Sequence, residues 1–147
     1  MKCGNNKSSS CTVTISVLLI LFVALLSYVL FIRIKEYYQQ LDPMLYKIKE
    51  TLLPLHPKVS EISFFEGDKS YTINKKRIYL CLKQQDDYYD FNMLIYVAIH
   101  ELSHVLCDEI GHTPKFFSIF HNLLMKANDI GIYDPSIPIV KNYCGHD

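Results

Sequence analysis

The sequence predicts an α+β fold, one compact mixed domain behind a single N-terminal transmembrane helix, and three observations predict it. Residues 13–32 are an uncharged apolar run; residues 58–83 are rich in β-branched and aromatic side chains punctuated by turn residues; and from Phe91 onward two stretches carry apolar residues at helical spacing. The 147 residues are 50% apolar and 20% charged, with 15 basic and 15 acidic side chains, which excludes a disordered polyampholyte. Residues 1–35 carry Lys2, Lys7, Arg33 and Lys35 and no acid, whereas residues 36–147 carry 11 basic against 15 acidic groups, a net of −4. No nucleic-acid partner is expected of so mildly acidic a domain.

A short tail, 1–12, precedes the transmembrane run at 13–32. Twenty residues at about 1.5 Å each span roughly 30 Å, the hydrocarbon thickness of a bilayer. A signal peptide would have a shorter apolar region and a small-residue cleavage site, but this run ends in Tyr28-Val29-Leu30-Phe31-Ile32-Arg33. The expected localisation is therefore a single-pass membrane protein. Arg33, Lys35, Lys47 and Lys49 outnumber Lys2 and Lys7, so the positive-inside count leans towards a cytoplasmic C-terminal part.

Residues 33–57 read as a juxtamembrane helical linker. Asp42 is the expected N-cap and Pro43 the first residue of a helix that stops before Pro54. The remaining 58–147 form the expected globular domain. Val59, Ile62, Phe64 and Phe65 lead to Glu66-Gly67-Asp68, which reads as a hairpin turn, and Ile78, Leu80 and Leu82 alternate with Tyr79, Cys81 and Lys83 as in a half-buried strand. Lys75-Lys76-Arg77 reads as a solvated tip. Five cysteines (Cys3, Cys11, Cys81, Cys107 and Cys144), widely spaced and with no CxxC pair, read as free thiols rather than as a disulfide framework.

Residues 91–107 contain no Gly or Pro, follow Asp90 as N-cap, and enclose His100-Glu101-Leu102-Ser103-His104. Residues four apart lie on one face of a helix, so His100 and His104 can both direct imidazole nitrogens to one zinc ion about 2.0–2.1 Å away. Glu101, one step round, reaches a water activated there without being a ligand and serves as general base. A catalytic site needs a third protein ligand. His112, after Gly111 and before the Thr113 N-cap and Pro114 of the next helix, is the first choice; Asp108 and Glu109 are carboxylate alternatives, and His146 could fold back from the terminus. His121 reads as partly buried and hydrogen-bonded, His56 as solvent-facing. Tyr133 and Tyr143 are the candidates for stabilising an oxyanion.

The ligand segment, with His112 and Phe116 four positions after it, resembles the zincin metalloproteases of the WLM type, related to the Wss1 and SprT-like proteases. The likeness covers residues 77–124, and its specific part is the ligand segment. It extends to short membrane-anchored versions encoded by large DNA viruses. The resemblance implies a small zincin-like domain with Zn2+ as cofactor, hydrolysing a protein or peptide substrate that binds in extended form along an edge strand, here the 78–83 region. The link from second to third His is longer or differently composed than in those families, and no ubiquitin-like, SUMO-binding or zinc-ribbon element accompanies it. The expectation is a membrane-anchored zinc metallopeptidase; the alternative is a catalytically inactive interaction protein of the same fold.

Overall fold

Uninterrupted helix-forming apolar residues and the absence of Gly or Pro after Asn6 let the first helix run far beyond the 20-residue apolar core. In the computed structural model, which describes residues 6–40 and 42–145, α1 extends over Asn6–Gln39. Its stretch Thr12–Gln39 is long and apolar enough to cross a membrane, and the side chains described there are nearly all exposed. The chain divides into two compact units, Met1–Tyr38 and Gln39–Asp147.

The second unit begins with α2 (Pro43–Leu52). Asp42 caps it by accepting the Met44 N–H at 2.8 Å, with Pro43 at the first helical position. Leu45, Ile48 and Leu52 are buried in the core of this unit, so α2 is a layer of the domain and not a linker, and the boundary moves from 58 back to about 39. Val59, expected on a strand, instead lies in a 3-10 turn over Pro57–Glu61. His56 caps that turn: its Nδ1 accepts the Lys58 N–H at 3.1 Å, and the ring is half-buried rather than solvent-facing.

The main sheet has three strands, β1 (Ser63–Glu66), β2 (Tyr71–Ile73) and β3 (Arg77–Leu80), in the order β1-β3-β2. β1 pairs with β3 in parallel and β2 with β3 antiparallel. Two sequence expectations are corrected here. The Gly67-Asp68 turn does not close a hairpin; it carries the chain across the end of β3, with Gly67 N–H donating to Leu80 O at 2.9 Å. The hairpin is β2–β3, turned by Asn74 and Lys75, both in left-handed backbone at φ 51° and 53°. Secondly, 78–83 is no edge. β3 is the central strand, buried on both faces, because Tyr79 is sandwiched between Phe65 and Tyr71 at ring distances of 4.8 and 4.6 Å while Ile78 and Leu80 face the core. A short second ribbon, β4 (Lys83–Gln84) with β5 (Asp87–Tyr88), follows.

α3 (Phe91–Leu106) lies between the sheet with α2 on one side and α4 (Pro114–Asp129) on the other. Asp90 accepts the Asn92 N–H, and Thr113 accepts the Phe116 N–H, so both helices begin where their caps predict. Buried Leu94, Ala98, Ile99, Leu102 and Val105 make α3 the centre of the core. The five thiols are not all free: Cys81, just after β3, is disulfide-bonded to Cys144, 63 residues later, while Cys107 is a buried free thiol. The bond ties down the last described segment, which closes in a 3-10 turn at Tyr143–Gly145. Sequence spacing alone carries no information about such a distant pairing.

Candidate metal centre

The register of α3 is set by its apolar face, and that leaves His100, Glu101 and His104 at the boundary between core and solvent. His100 and His104 are half-buried and Glu101 is only 5% exposed. The loop after α3 returns through Gly111, whose φ of +84° is a glycine conformation, and delivers His112 from the opposite side. Two bonds hold this loop. Lys75 donates to Cys107 O at the end of α3, and Lys115 pairs with Asp108 at 2.7 Å. Lys75 is therefore a brace and not merely a solvated tip.

The Nε2 atom of His112 stands 3.0 Å from Nε2 of His100 and 3.2 Å from Nε2 of His104. Three nitrogens bound at 2.0–2.1 Å to one tetrahedral ion would be about 3.3 Å apart, so the donor set fits a zinc-sized cation. Among the described residues these three histidines form the cluster able to hold a metal. Asp108 is instead committed to Lys115, and Glu109 lines the neighbouring cavity outside the cluster; His146 lies outside the described residues. Burial, with His104 and His112 adding to it, drives the His100 pKa down to about 4, and burial with His112 beside it also lowers His104. Neutral imidazoles are the form that binds metal.

Beneath the histidines lies Phe116, fully buried at the start of α4. Its ring stacks on His104 at 4.3 Å and meets His100 and His112 edge-on at 5.0 and 4.8 Å. The Thr113 cap thus fixes the floor of the site as well as the helix.

Glu101 points to the sheet side. Thr72 on β2 donates to its Oε2 at 2.9 Å. Burial pushes the Glu101 carboxyl up to about 7, with the Thr72 hydrogen bond opposing the rise. A group at that value both takes and returns a proton near neutrality. Sequence reasoning missed Thr72; its position between outward-facing Tyr71 and Ile73 on a period-two strand is the signal that places it on the inner face.

Two cavities, of about 820 and 500 Å³, meet at Ser70, His100 and Glu101 and make the site an open cleft. The smaller lies against β2 and the His112 loop. The larger is walled by the segment that the disulfide ties down. Of the two tyrosines considered for an oxyanion, Tyr133 lines neither cavity. Tyr143 lines the larger, but its hydroxyl donates to Cys81 O and lies 3.0 Å from Ser70 Oγ, so it clamps the wall instead. His121 is exposed on α4 rather than partly buried.

No family model matches the chain, and no solved structure matches it. Among curated proteins it is similar to "Uncharacterized protein 136R" of Invertebrate iridescent virus 6, at 54% identity over 90 residues covering 58% of this chain and 51% of that one. It is also similar to "Uncharacterized protein 042R" of Invertebrate iridescent virus 3, 46% identical over 99 residues and covering 62% of each. A third relative, "Uncharacterized protein R325" of Acanthamoeba polyphaga mimivirus, is 38% identical over 86 residues covering 52% of this chain and 41% of that one. The chain thus spans between about two-fifths and three-fifths of the length of these relatives.

Proposed function

We propose that the second unit is a zincin-like metallopeptidase of the WLM type, tethered to a membrane by α1, that hydrolyses peptide bonds with zinc as its cofactor. The observation that carries this reading is the convergence of three imidazole Nε2 atoms, 3.0 and 3.2 Å apart, beside a buried carboxyl that opens onto a cleft. Zinc held by His100, His104 and His112 would supply the Lewis acidity that polarises a peptide carbonyl and acidifies a water.

The residues then divide the work. Glu101 Oε1 and Oε2 take the proton of the attacking water and return it to the departing amide nitrogen. Thr72 keeps that carboxylate aimed into the cleft. Among the described strands β2 pairs with β3 alone, so its outer edge offers main-chain donors and acceptors to an extended peptide lying over the smaller cavity. On this reading the substrate-binding edge is 71–73.

Glu101→Gln tests the reading, because it preserves shape and leaves the imidazoles untouched. The full chain carrying it should bind zinc as wild type does yet lose hydrolysis of an unfolded protein substrate such as casein. Equal hydrolysis by the variant would reject Glu101 as general base; no hydrolysis by zinc-loaded wild type of any peptide in a broad mixture would reject the peptidase.

A further inference from the structure

The larger cavity begins at His100 and runs along α3 towards its N-terminus. Met93, Tyr96, Val97 and His100 are spaced i, i+3, i+4 and i+7, so they share one helix face and line this cavity together. Seven residues correspond to about 10 Å, two helical turns, which is room enough for a large side chain. The opposite wall carries Ile139 and Val140 and is pinned by the Cys81–Cys144 bond, the Ser70–Tyr143 hydrogen bond and the Cys144 N–H donated to Tyr89 Oη at 2.8 Å. Lys69 precedes Ser70 in the chain, and Lys141 lies two residues before Tyr143. Both are exposed and line the cavity, and neither makes an ion pair among the described residues. Glu101 is the one acid among the described residues that line it.

Resting on the peptidase reading, we propose that this cavity selects the substrate: it takes a large apolar side chain whose residue carries, or is followed by, a carboxylate that Lys69 and Lys141 receive. The carboxylate is either the free end of a peptide or the side chain of the next residue. Apolar walls favour the side chain in proportion to the area covered, and two lining ammonium groups that make no ion pair among the described residues favour an anion over its neutral isostere. The occupant is thereby distinguished from a purely apolar peptide and from a basic one.

The test is binding, not turnover. Full-length chain in detergent micelles, methyl-labelled at Met and Ile, is titrated with N-acetyl-phenylalanine, its amide, N-acetyl-alanine, and the pair N-acetyl-Phe-Asp-amide and N-acetyl-Phe-Asn-amide, with zinc and again with chelator. N-acetyl-phenylalanine should shift the Met93 and Ile139 methyls and bind about fivefold more tightly than its amide. The double variant Lys69→Gln/Lys141→Gln, altering only exposed side chains, should bring the two to parity. N-acetyl-alanine binding as well as N-acetyl-phenylalanine overturns the apolar selection. An acid preference that survives the double variant, or vanishes with chelator, overturns the lysine assignment. Preference for Asp over Asn in the dipeptides identifies an internal acid as the source; preference for N-acetyl-phenylalanine over both identifies a chain end. Because these shifts need no hydrolysis, the cavity assignment stands or falls apart from the peptidase reading.

Discussion

The hydroxyl of Thr72, on β2, donates to Oε2 of Glu101, on α3, across the junction of sheet and helix. Hydrogen bonds to charged groups contribute roughly 1.5–3 kcal/mol. Thr72→Val should therefore lower kcat roughly ten- to hundredfold, with KM and zinc content unchanged, and Thr72→Ser should restore most of the rate. Steady-state kinetics beside metal analysis would separate this from a folding defect, which would lower zinc content as well.

Phe116 is at once core and floor. Its replacement by Ala should cost about 3–5 kcal/mol of stability and weaken zinc binding, because the ring stacked on His104 is lost. Urea unfolding with and without zinc would show a larger loss for the zinc-loaded protein than for the metal-free one.

Removing the metal should lower the unfolding midpoint of the second unit. At a hundredfold excess over Kd, a ligand confined to the folded state adds about 2.7 kcal/mol. Differential scanning calorimetry of the full chain before and after chelation measures this, and the difference should disappear in His100→Ala.

The Cys81–Cys144 bond closes a long loop, for which chain-entropy arguments give about 4 kcal/mol. Cys144→Ser should destabilise the second unit by up to this amount, as should reduction of the wild type, whereas Cys107→Ala should leave the redox-dependent gel mobility unchanged. Such bonds persist in oxidising compartments, which opposes the lean of the Lys and Arg count around α1. Protease protection in sealed membranes should find residues 39–147 on the oxidising side.

The local features were legible because local chemistry dictates them. Asp42, Asp90 and Thr113 cap helices wherever they precede a suitable run, and HExxH spacing brings two imidazoles together on any helix. Non-local pairing was not legible. The crossing of Gly67 over β3, and with it the burial of Tyr79 between Phe65 and Tyr71, depends on which strands meet rather than on the alternation along any one of them. A half-buried pattern was expected for 78–83 because Tyr and Lys alternate with Ile and Leu; aromatic stacking hides the second face. Thr72 and the Cys81–Cys144 bond escaped for the same reason, each partner lying 29 and 63 residues from the other.

Zinc stoichiometry of the purified full chain, compared among wild type, His112→Ala and Asp108→Ala/Glu109→Ala, tests the central claim most directly. One zinc per chain is expected in the wild type and in the carboxylate double variant, with affinity lowered at least about a hundredfold in His112→Ala. Wild-type protein that binds no zinc, or His112→Ala that binds it as tightly as wild type, would contradict a three-histidine metal centre.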